Sequence, residues 1–384
     1  MNNDIYIIGV GLHKFGRTPE KTGLEQAKAA VNTALDDAEI KWQDLDFAVG
    51  GSQDAGNADS LINKMGATGL PFINVFNGCA TGGSAMITGM NSILAGQGGV
   101  GLIVGFDEHD PGAFRVDLEQ WDLPQWYGDM GFALTTQFFA TKINRYMHDH
   151  NISESSLVRV AMKAFENGTL NENAWRRATL SYDDIKNSTM INYPLTKYMF
   201  CSPSEGAAAL IICNQEIADK YPASQKIRIK ACSFKSRQEG TFEVFKPSYQ
   251  PRPVNTVTKD AALDAFKKAN VSPEDIDIAQ IQDTETGAEI MHMAEIGLCK
   301  DGEQEQLIAN KETHITGKLP INTDGGCLAN GEPVGASGLR QIIENVTQLR
   351  GLAGNRQTKD PRLALSQVYG APGISCVSIL EKVQ

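Results

Sequence analysis

The chain has 384 residues, and its hydrophobic content of 41% can bury one large core or two ordinary ones. A formal net charge of −11 argues against a nucleic-acid-binding protein, and no apolar run reaches the ~18 residues that a membrane-spanning helix needs. The first residues lack the positive flank of a secretory signal, so we expect a cytoplasmic protein. The seven cysteines form no Cys-x-x-Cys pair, which argues against a disulfide framework and a zinc ribbon.

An internal repeat indicates how the chain is organised. Residues 34–48 follow the pattern of an amphipathic helix, a turn and the start of a strand, and residues 265–279 repeat that pattern with the same spacing. An apolar strand is predicted before each copy, over residues 5–10 and 227–232. Strand-helix-strand units indicate parallel sheet covered by helices, so two such halves suggest a duplication.

A cysteine lies where a predicted strand, residues 71–76, gives way to a helix rich in small residues. The local sequence is NGCATGGSA at residues 77–85, which places Cys79 at the helix start. The unpaired N–H groups and the dipole of a helix start favour a thiolate and can hold an oxyanion, which suits a nucleophile that becomes acylated. A buried structural cysteine is the alternative, because free cysteine is among the most buried residue types.

Residues 114–198 interrupt the predicted alternation of strands and helices. They are richer in aromatic, asparagine and charged residues than the rest of the chain. We interpret this segment as an insertion, after which the first half resumes with a strand over residues 207–212. The chain then divides into an N-terminal half, residues 1–218, and a C-terminal half, residues 219–384. The basic residues of the insertion form either a phosphate-binding face or an ordinary solvated surface. They are Arg145, Lys163, Arg176, Arg177, Lys186 and Lys197.

Four motifs follow one another along the chain. They are NGCATG at residues 77–82, CSPSEGAAA at 201–209, NTDGG at 322–326 and GEPVGASG at 331–338. In this order they resemble the thiolase superfamily, above all its sterol-carrier-protein-type members, over nearly the whole chain. The resemblance implies an α/β fold of two duplicated halves, each with a mixed five-stranded sheet, in a five-layer α-β-α-β-α arrangement with an inserted loop domain. It also implies a homodimer or a dimer of dimers.

The resemblance further implies acyl-CoA chemistry, in which a cysteine takes up an acyl group and a second thioester is deprotonated to attack it, or the reverse cleavage. Coenzyme A thioester is then the substrate, and neither a bound cofactor nor a metal is expected. Cys79 matches the acylated cysteine. Its N–H and one near Gly373, in YGAPG at residues 369–373, match the oxyanion hole, where a donor contributes roughly 2.7 to 4 kcal/mol in comparable sites.

The acid–base residues depart from the family pattern. Glu332 replaces the histidine of the Gly-His-Pro motif; it can accept a proton, but its ionised form repels an oxyanion. Gln282 matches the histidine of the His-Asp-Cys-Phe motif and can donate a hydrogen bond, whereas Thr284 matches the cysteine and is too weak an acid to replace it. Tyr369 lies near the place of the second thiolase cysteine, as either a general acid or a packing residue.

The remaining candidates lie outside the catalytic motifs. His109 follows the predicted strand 102–106, in a loop that can approach the active site, but we expect a surface or packing role. Asn167 and Asn171 match positions where relatives contact the pantetheine arm of coenzyme A, with an ordinary loop as the alternative. Ser337 is also assigned to coenzyme A binding.

Three functions remain open. We favour an acyltransferase that forms or cleaves a carbon–carbon bond through a Cys79 thioester, with Glu332 as base and Gln282 or backbone donors holding the enolate. The second is an aldolase-type carbon–carbon lyase acting on acyl-CoA substrates that resemble steroid side chains, with Tyr369 as a candidate acid or base. The third is a non-catalytic subunit of a multicomponent acyltransferase, whose small partner carries a zinc ribbon and an oligonucleotide-binding-type barrel. Neither a nucleic acid nor a membrane is expected as a partner.

Overall fold

The computed structural model describes residues 4–244, 246–247, 253–371 and 373–383. The strands are β1 (Ile5–Gly16), β2 (Phe47–Gly51), β3 (Phe72–Asn74), β4 (Val100–Glu108), β5 (Met190–Asn192), β6 (Leu195–Thr196), β7 (Glu205–Asn214), β8 (Ile227–Ser236), β9 (Phe242–Glu243), β10 (Lys246–Pro247), β11 (Ile278–Ile281), β12 (Leu363–Gly370) and β13 (Ile374–Lys382). The α-helices are α1 (Gly23–Asp37), α2 (Leu61–Met65), α3 (Thr81–Leu94), α4 (Gln125–Asp129), α5 (Thr135–His150), α6 (Glu154–Thr169), α7 (Tyr182–Lys186), α8 (Gln215–Ala218), α9 (Val257–Ala269), α10 (Thr286–Ile296), α11 (Gln304–Ala309), α12 (Gly326–Asn330) and α13 (Val334–Leu349).

The main strands form one mixed sheet in the order β11-β12-β13-β8-β1-β7-β4-β2-β3. Five of these strands come from the first half and four from the second, and the halves join where Ile5–Ile7 pairs antiparallel with residues 227–229. Beyond β11 the second half adds only a bridge between Ala279 and Ile321 among the residues that the structure describes. The expected fifth strand stops there because Asn322, the next residue, adopts a left-handed conformation with φ of 53°.

The positions of the helices relative to the two halves of the sheet define the layers of the fold. α3 and α13 pack against each other and contact strands of both halves, whereas α1 covers the outer face of the first half and α9 that of the second. Strands β4 and β7 are buried along nearly their whole length, as expected for strands covered on both faces. The α/β fold and the five-layer arrangement are therefore confirmed.

The two copies of the repeat adopt matching structures. In the first, α1 leads through a short 3₁₀ turn (Trp42–Asp44) into β2, and in the second α9 leads through Pro273–Asp275 into β11. Both turns are closed by an aspartate that accepts the N–H three residues earlier, Asp44 from Lys41 and Asp275 from Ser272. The helix–turn–strand reading of the sequence is confirmed, while the boundary at residues 218 and 219 stays a prediction.

The insertion is largely helical and packed rather than a loop. It contains α4 to α7 and the β5–β6 hairpin. A hydrophobic cluster that includes Leu157 and Phe165 of α6 continues into Ile290 and Leu328 of the C-terminal half. Among the described residues, no helix is both long and apolar enough to cross a bilayer.

Two basic residues of the insertion form neither the phosphate-binding face nor the solvated surface that the sequence left open. Lys163 is buried and forms an ion pair with Glu289, which is also buried. Arg176 donates to the carbonyl oxygen of Leu328 and to the Ser202 hydroxyl. Lys163 needs its partner because a charge shielded from water must be paired within the protein, and both cations link the insertion to the C-terminal half.

Candidate active site

The ends of three elements bring Cys79, Glu332 and Gln282 together. Cys79 lies two residues before α3, Glu332 two residues before α13, and Gln282 directly after β11. The two helices pack against each other, so their N-termini can share one site. Helix N-termini favour negative charge, which suits a carboxylate at this position.

Glu332 is fully buried and held by donors of two other elements. The Gln282 amide nitrogen donates to both carboxylate oxygens at 2.9 and 3.1 Å, and the Ser337 hydroxyl donates to one of them at 2.9 Å. The carbonyl oxygen of the Gln282 amide in turn accepts from Gln341 at 3.4 Å. The carboxylate is therefore fixed in orientation by a chain of amides.

The surroundings of Cys79 work against the thiolate that the helix start was expected to favour. Burial raises the pKa of Cys79 well above its usual value, and the charge and hydrogen bonding of Glu332 raise it further. Both effects oppose the dipole of α3, because burial and a neighbouring negative charge disfavour a thiolate. The arrangement is a thiol next to a base, in which the proton can leave as the sulfur attacks.

The loop that carries Cys79 is packed tightly against the end of β12. Gly78 has φ of 56°, and a Cβ at this position would lie 2.4 Å from the carbonyl oxygen of Ala371. A Cβ at Gly370 would lie 2.4 Å from the backbone nitrogen of Ala80. The glycines allow an approach that side chains would block, which sets the position of the sulfur.

We expect Gly78→Ala to slow acylation of Cys79 at least ~10-fold and to destabilise the protein by ~1–3 kcal/mol, because the loop must move away from residue 371. Gly96→Ala is the matched control, since Gly96 also has a positive φ of 75° but its Cβ would meet nothing within 4 Å. Urea unfolding and the rate of acyl-enzyme formation provide the comparison. Equal effects of the two substitutions would contradict the close-packing explanation.

A cavity of about 580 Å³ opens beside Cys79. Its wall includes Thr284 and Tyr369 from the C-terminal half and His109 from the loop after β4. Arg115 also lines the cavity and is exposed to solvent. Glu332 does not line the cavity, so its carboxylate approaches the Cys79 sulfur from the protein interior.

His109 belongs to the cavity wall, although a surface or packing role was expected from the sequence. It is buried, its Nδ1 lies 2.6 Å from a carboxylate oxygen of Asp54, and its Nε2 accepts the N–H of Val334 at 3.2 Å. Its ring also packs edge-on against Phe114. The packing part of the expectation holds and the surface part is wrong.

Tyr369 is buried and its hydroxyl has two partners. The oxygen donates to Glu243 at 2.7 Å and accepts the backbone N–H of Val244 at 3.3 Å. Burial and the charge of Glu243 raise the pKa of Tyr369 well above its usual value. Glu243, which no sequence motif singles out, reaches this position from the segment between β8 and α9.

Several expected roles are wrong because the groups are already engaged. The Gly373 N–H donates to the carbonyl oxygen of Gly370 at 2.8 Å, so it is not available to an oxyanion, and Pro372 of the same segment lies outside the described residues. The Gln282 amide binds Glu332 and Gln341, which leaves neither end for an enolate. Ser337 is fully buried and holds Glu332, so it does not contact coenzyme A.

The two asparagines assigned to the pantetheine arm are also engaged within the protein. Asn167 donates to the carbonyl oxygen of Asn322 at 3.0 Å, and Asn171 donates to that of Asp324 at 3.0 Å. Both are buried, and neither lines the cavity at Cys79. They fasten the insertion to the loop before α12, which corrects the coenzyme A assignment.

Comparisons with known proteins show what the chain is similar to. The thiolase C-terminal domain-like family model matches residues 245–382. Sterol carrier protein 2 of Gallus gallus is 29% identical over 99% of this chain and 72% of its own length. Acetyl-CoA acetyltransferase of Methanothermobacter thermautotrophicus is 28% identical over 96% of this chain and 97% of its own length.

The solved structure of an Ltp2-ChsH2(DUF35) aldolase superposes with a TM-score of 0.86 at 23% identity, covering 99% of this chain and 98% of that one. At this identity the likeness concerns the fold. The ordered motifs, the loop that carries Cys79 and the relatives named above indicate the same family. Over nearly its whole length the chain is similar to proteins of the thiolase superfamily, and among them to the sterol-carrier-protein type.

Proposed function

We propose that this protein is a thiolase-type acyltransferase that acts on coenzyme A thioesters through an acyl-enzyme at Cys79. The observation that carries the proposal is the buried Glu332 carboxylate beside the Cys79 thiol, held in place by Gln282 and Ser337. A nucleophile, a base and a group that orients the base are the parts that covalent catalysis requires. The acetyl-CoA acetyltransferase among the relatives supports the same reaction class.

In the first step, the Cys79 sulfur attacks the thioester carbonyl while its proton passes to Glu332. The resulting oxyanion is held by backbone donors, of which the Cys79 N–H is the candidate. When the carbonyl re-forms, the bond to the coenzyme A sulfur breaks, the leaving thiolate takes a proton from water in the open cavity, and Glu332 keeps the proton of Cys79. The neutral resting thiol makes this concerted transfer necessary, since burial and Glu332 raise its pKa.

The cavity beside Cys79 is the proposed binding site for the substrate. Its volume of about 580 Å³ fits an acyl chain and part of the pantetheine arm, and solvent-exposed Arg115 in its lining can meet a phosphate. This replaces the buried asparagines as the proposed contact region for coenzyme A. The acyl chain itself stays open.

The test is intact-protein mass spectrometry after incubation with acetyl-CoA, butanoyl-CoA and octanoyl-CoA. We expect an added acyl mass on the wild-type protein that is lost in Cys79→Ala and retained in Cys299→Ala, a control at another partly exposed free cysteine. An adduct that survives Cys79→Ala would contradict the assignment of the nucleophile. No adduct with any thioester would remove the support for acyl transfer by this chain alone.

A second candidate is the aldolase-type lyase, which is favoured by the buried Tyr369 hydroxyl on the cavity wall. The Ltp2-ChsH2(DUF35) aldolase shares the fold. Retro-aldol cleavage would need an acid–base group but no thioester at Cys79. Cleavage of a β-hydroxyacyl-CoA by Cys79→Ala would favour the lyase, whereas its loss would favour the acyltransferase.

For assembly we propose a homodimer in the cytoplasm and a small zinc-ribbon and barrel protein as a further partner. The edge strand β3 supports a second copy, because it leaves Ile73 exposed at the end of the sheet, with exposed Phe76 close by. The Ltp2-ChsH2(DUF35) aldolase, whose name joins two components, supports a further partner. Light scattering of the purified chain, alone and with such a partner, tests both.

A further inference from the structure

The proposed reaction needs a second base, and Glu332 does not reach the place where that base must act. An acyl donor loses a proton from the carbon next to its thioester before it attacks the acyl-enzyme. Glu332 is fully buried behind Cys79 and does not line the cavity. His109 does line it, but Asp54 and Val334 engage its two ring nitrogens.

Tyr369 is another residue with an acid–base side chain in the wall of this cavity. It lies near the end of β12, next to the segment that packs on the Cys79 loop, and it is part of the cavity wall. A phenol oxygen can donate one hydrogen bond and accept two. Glu243 takes the donated bond and the Val244 N–H takes one acceptor site, which leaves the second acceptor site for a proton from the substrate.

Glu243 is placed to accept the proton of the Tyr369 hydroxyl. Its side chain is 1% exposed, and among the described residues its Oε1 atom has no hydrogen-bond partner. Lys142 lies 3.4 Å from Oε2, and its ammonium group also lies over the Tyr369 ring at 5.2 Å. Burial by itself would lower the pKa of Lys142, but the charges of Glu243 and Glu295 outweigh it and raise that pKa.

Comparison of the two copies of the repeat shows which segment of the chain supplies Glu243. Residues 17–22 connect β1 to α1 in the first half, whereas the longer segment 237–256 connects β8 to α9 in the second. That longer connection carries Glu243 and Val244 onto Tyr369. The carboxylate is therefore an addition to the duplicated fold at the cavity, and packing alone gives no reason to bury it with an unpartnered oxygen.

We propose that Glu243 acts through Tyr369 as the second acid–base pair of the site and removes the α-proton of the acyl-CoA donor. The proposal rests on the proposed acyltransferase function. The α-carbon–hydrogen bond breaks, its proton passes to the Tyr369 oxygen, and the Tyr369 hydroxyl proton passes to Glu243. The electron pair of the broken bond moves into the thioester enolate, and Glu243 becomes a neutral carboxylic acid. Lys142 is a positioning residue, since its ammonium group lies 3.4 Å from the Glu243 carboxylate.

The experiment follows exchange of α-hydrogens of acetyl-CoA and butanoyl-CoA for deuterium in D₂O by NMR, alongside acylation of Cys79 by mass spectrometry. We expect the wild-type protein to catalyse exchange. Glu243→Gln and Tyr369→Phe keep the shape of the side chains and should lower the exchange rate at least ~10²-fold. In both variants the exchange rate should fall at least ~10-fold more than the rate of Cys79 acylation does, and Glu243→Asp should recover part of the exchange.

Glu295→Gln is the matched control, because Glu295 is another acid near Tyr369 that pairs with His292 and not with the phenol. It should keep exchange within about threefold of wild type. Exchange that persists in Glu243→Gln, or that falls equally in Glu295→Gln, overturns the relay. Wild-type protein that acylates Cys79 but never exchanges α-hydrogens overturns the relay and leaves the proposed function standing. Failure of acylation itself overturns both.

Discussion

Glu332→Gln is expected to slow acylation of Cys79 by acyl-CoA ~10²- to 10⁴-fold while making the same thiol more reactive toward iodoacetamide near neutral pH. The two rates should move in opposite directions because Glu332 has two effects on the sulfur. As a base it removes the proton during attack, and as a negative charge it raises the pKa of Cys79, second only to burial. Glutamine removes both effects and keeps the side-chain volume.

The measurement is a pair of rates on each protein, namely formation of the acyl-enzyme and alkylation by iodoacetamide between about pH 6 and 10, a range that brackets the usual pKa of a cysteine thiol. The alkylation profile of Glu332→Gln should shift to lower pH than that of the wild type. Glu332→Asp separates the effect of the negative charge from that of proton transfer. The shorter side chain keeps a negative charge near the sulfur, but its carboxylate oxygens lie farther from the thiol proton. It should acylate slowly and keep an alkylation profile near that of the wild type. Two rates that fall together in Glu332→Gln would contradict the role of base.

Asp324→Ala is expected to destabilise the protein by ~3–5 kcal/mol. Arg340 lies on α13 in the central layer, where it is 2% exposed and forms an ion pair with Asp324, which is also 2% exposed. Burial by itself would lower the pKa of Arg340, but the charge of Asp324 outweighs it and raises that pKa. Removal of the carboxylate leaves a cation buried between the two halves of the sheet. The loss should appear as a lower urea midpoint with an unchanged slope.

Asp360→Ala provides the matched control for this prediction. Asp360 forms an ion pair with Lys382 at 3.2 Å, but both side chains are exposed, so we expect a change below ~1 kcal/mol. The double variant Asp324→Ala with Arg340→Met should regain part of the stability lost in Asp324→Ala, because the unpaired charge is gone. A double variant less stable than Asp324→Ala would show that Arg340 stabilises the layer by packing and not through its partner.

The sequence by itself determined the architecture. The repeat at residues 34–48 and 265–279 and the apolar strands before each copy are local patterns, and they predicted the paired halves that α1, β2, α9 and β11 form. The ordered motifs likewise indicated Cys79 as the residue of interest. Local patterns of this kind can be read because helix and strand periodicity depends on neighbours in the chain.

The tertiary structure alone decided how the side chains are used. Gln282, Ser337 and Asn171 have the right chemistry to bind a ligand, but each is buried against a partner within the protein. Glu243 has no motif around it and becomes a candidate only because a long connection places it on Tyr369. Even the protonation of Cys79 depends on burial and on Glu332, because charges act through space and not along the sequence.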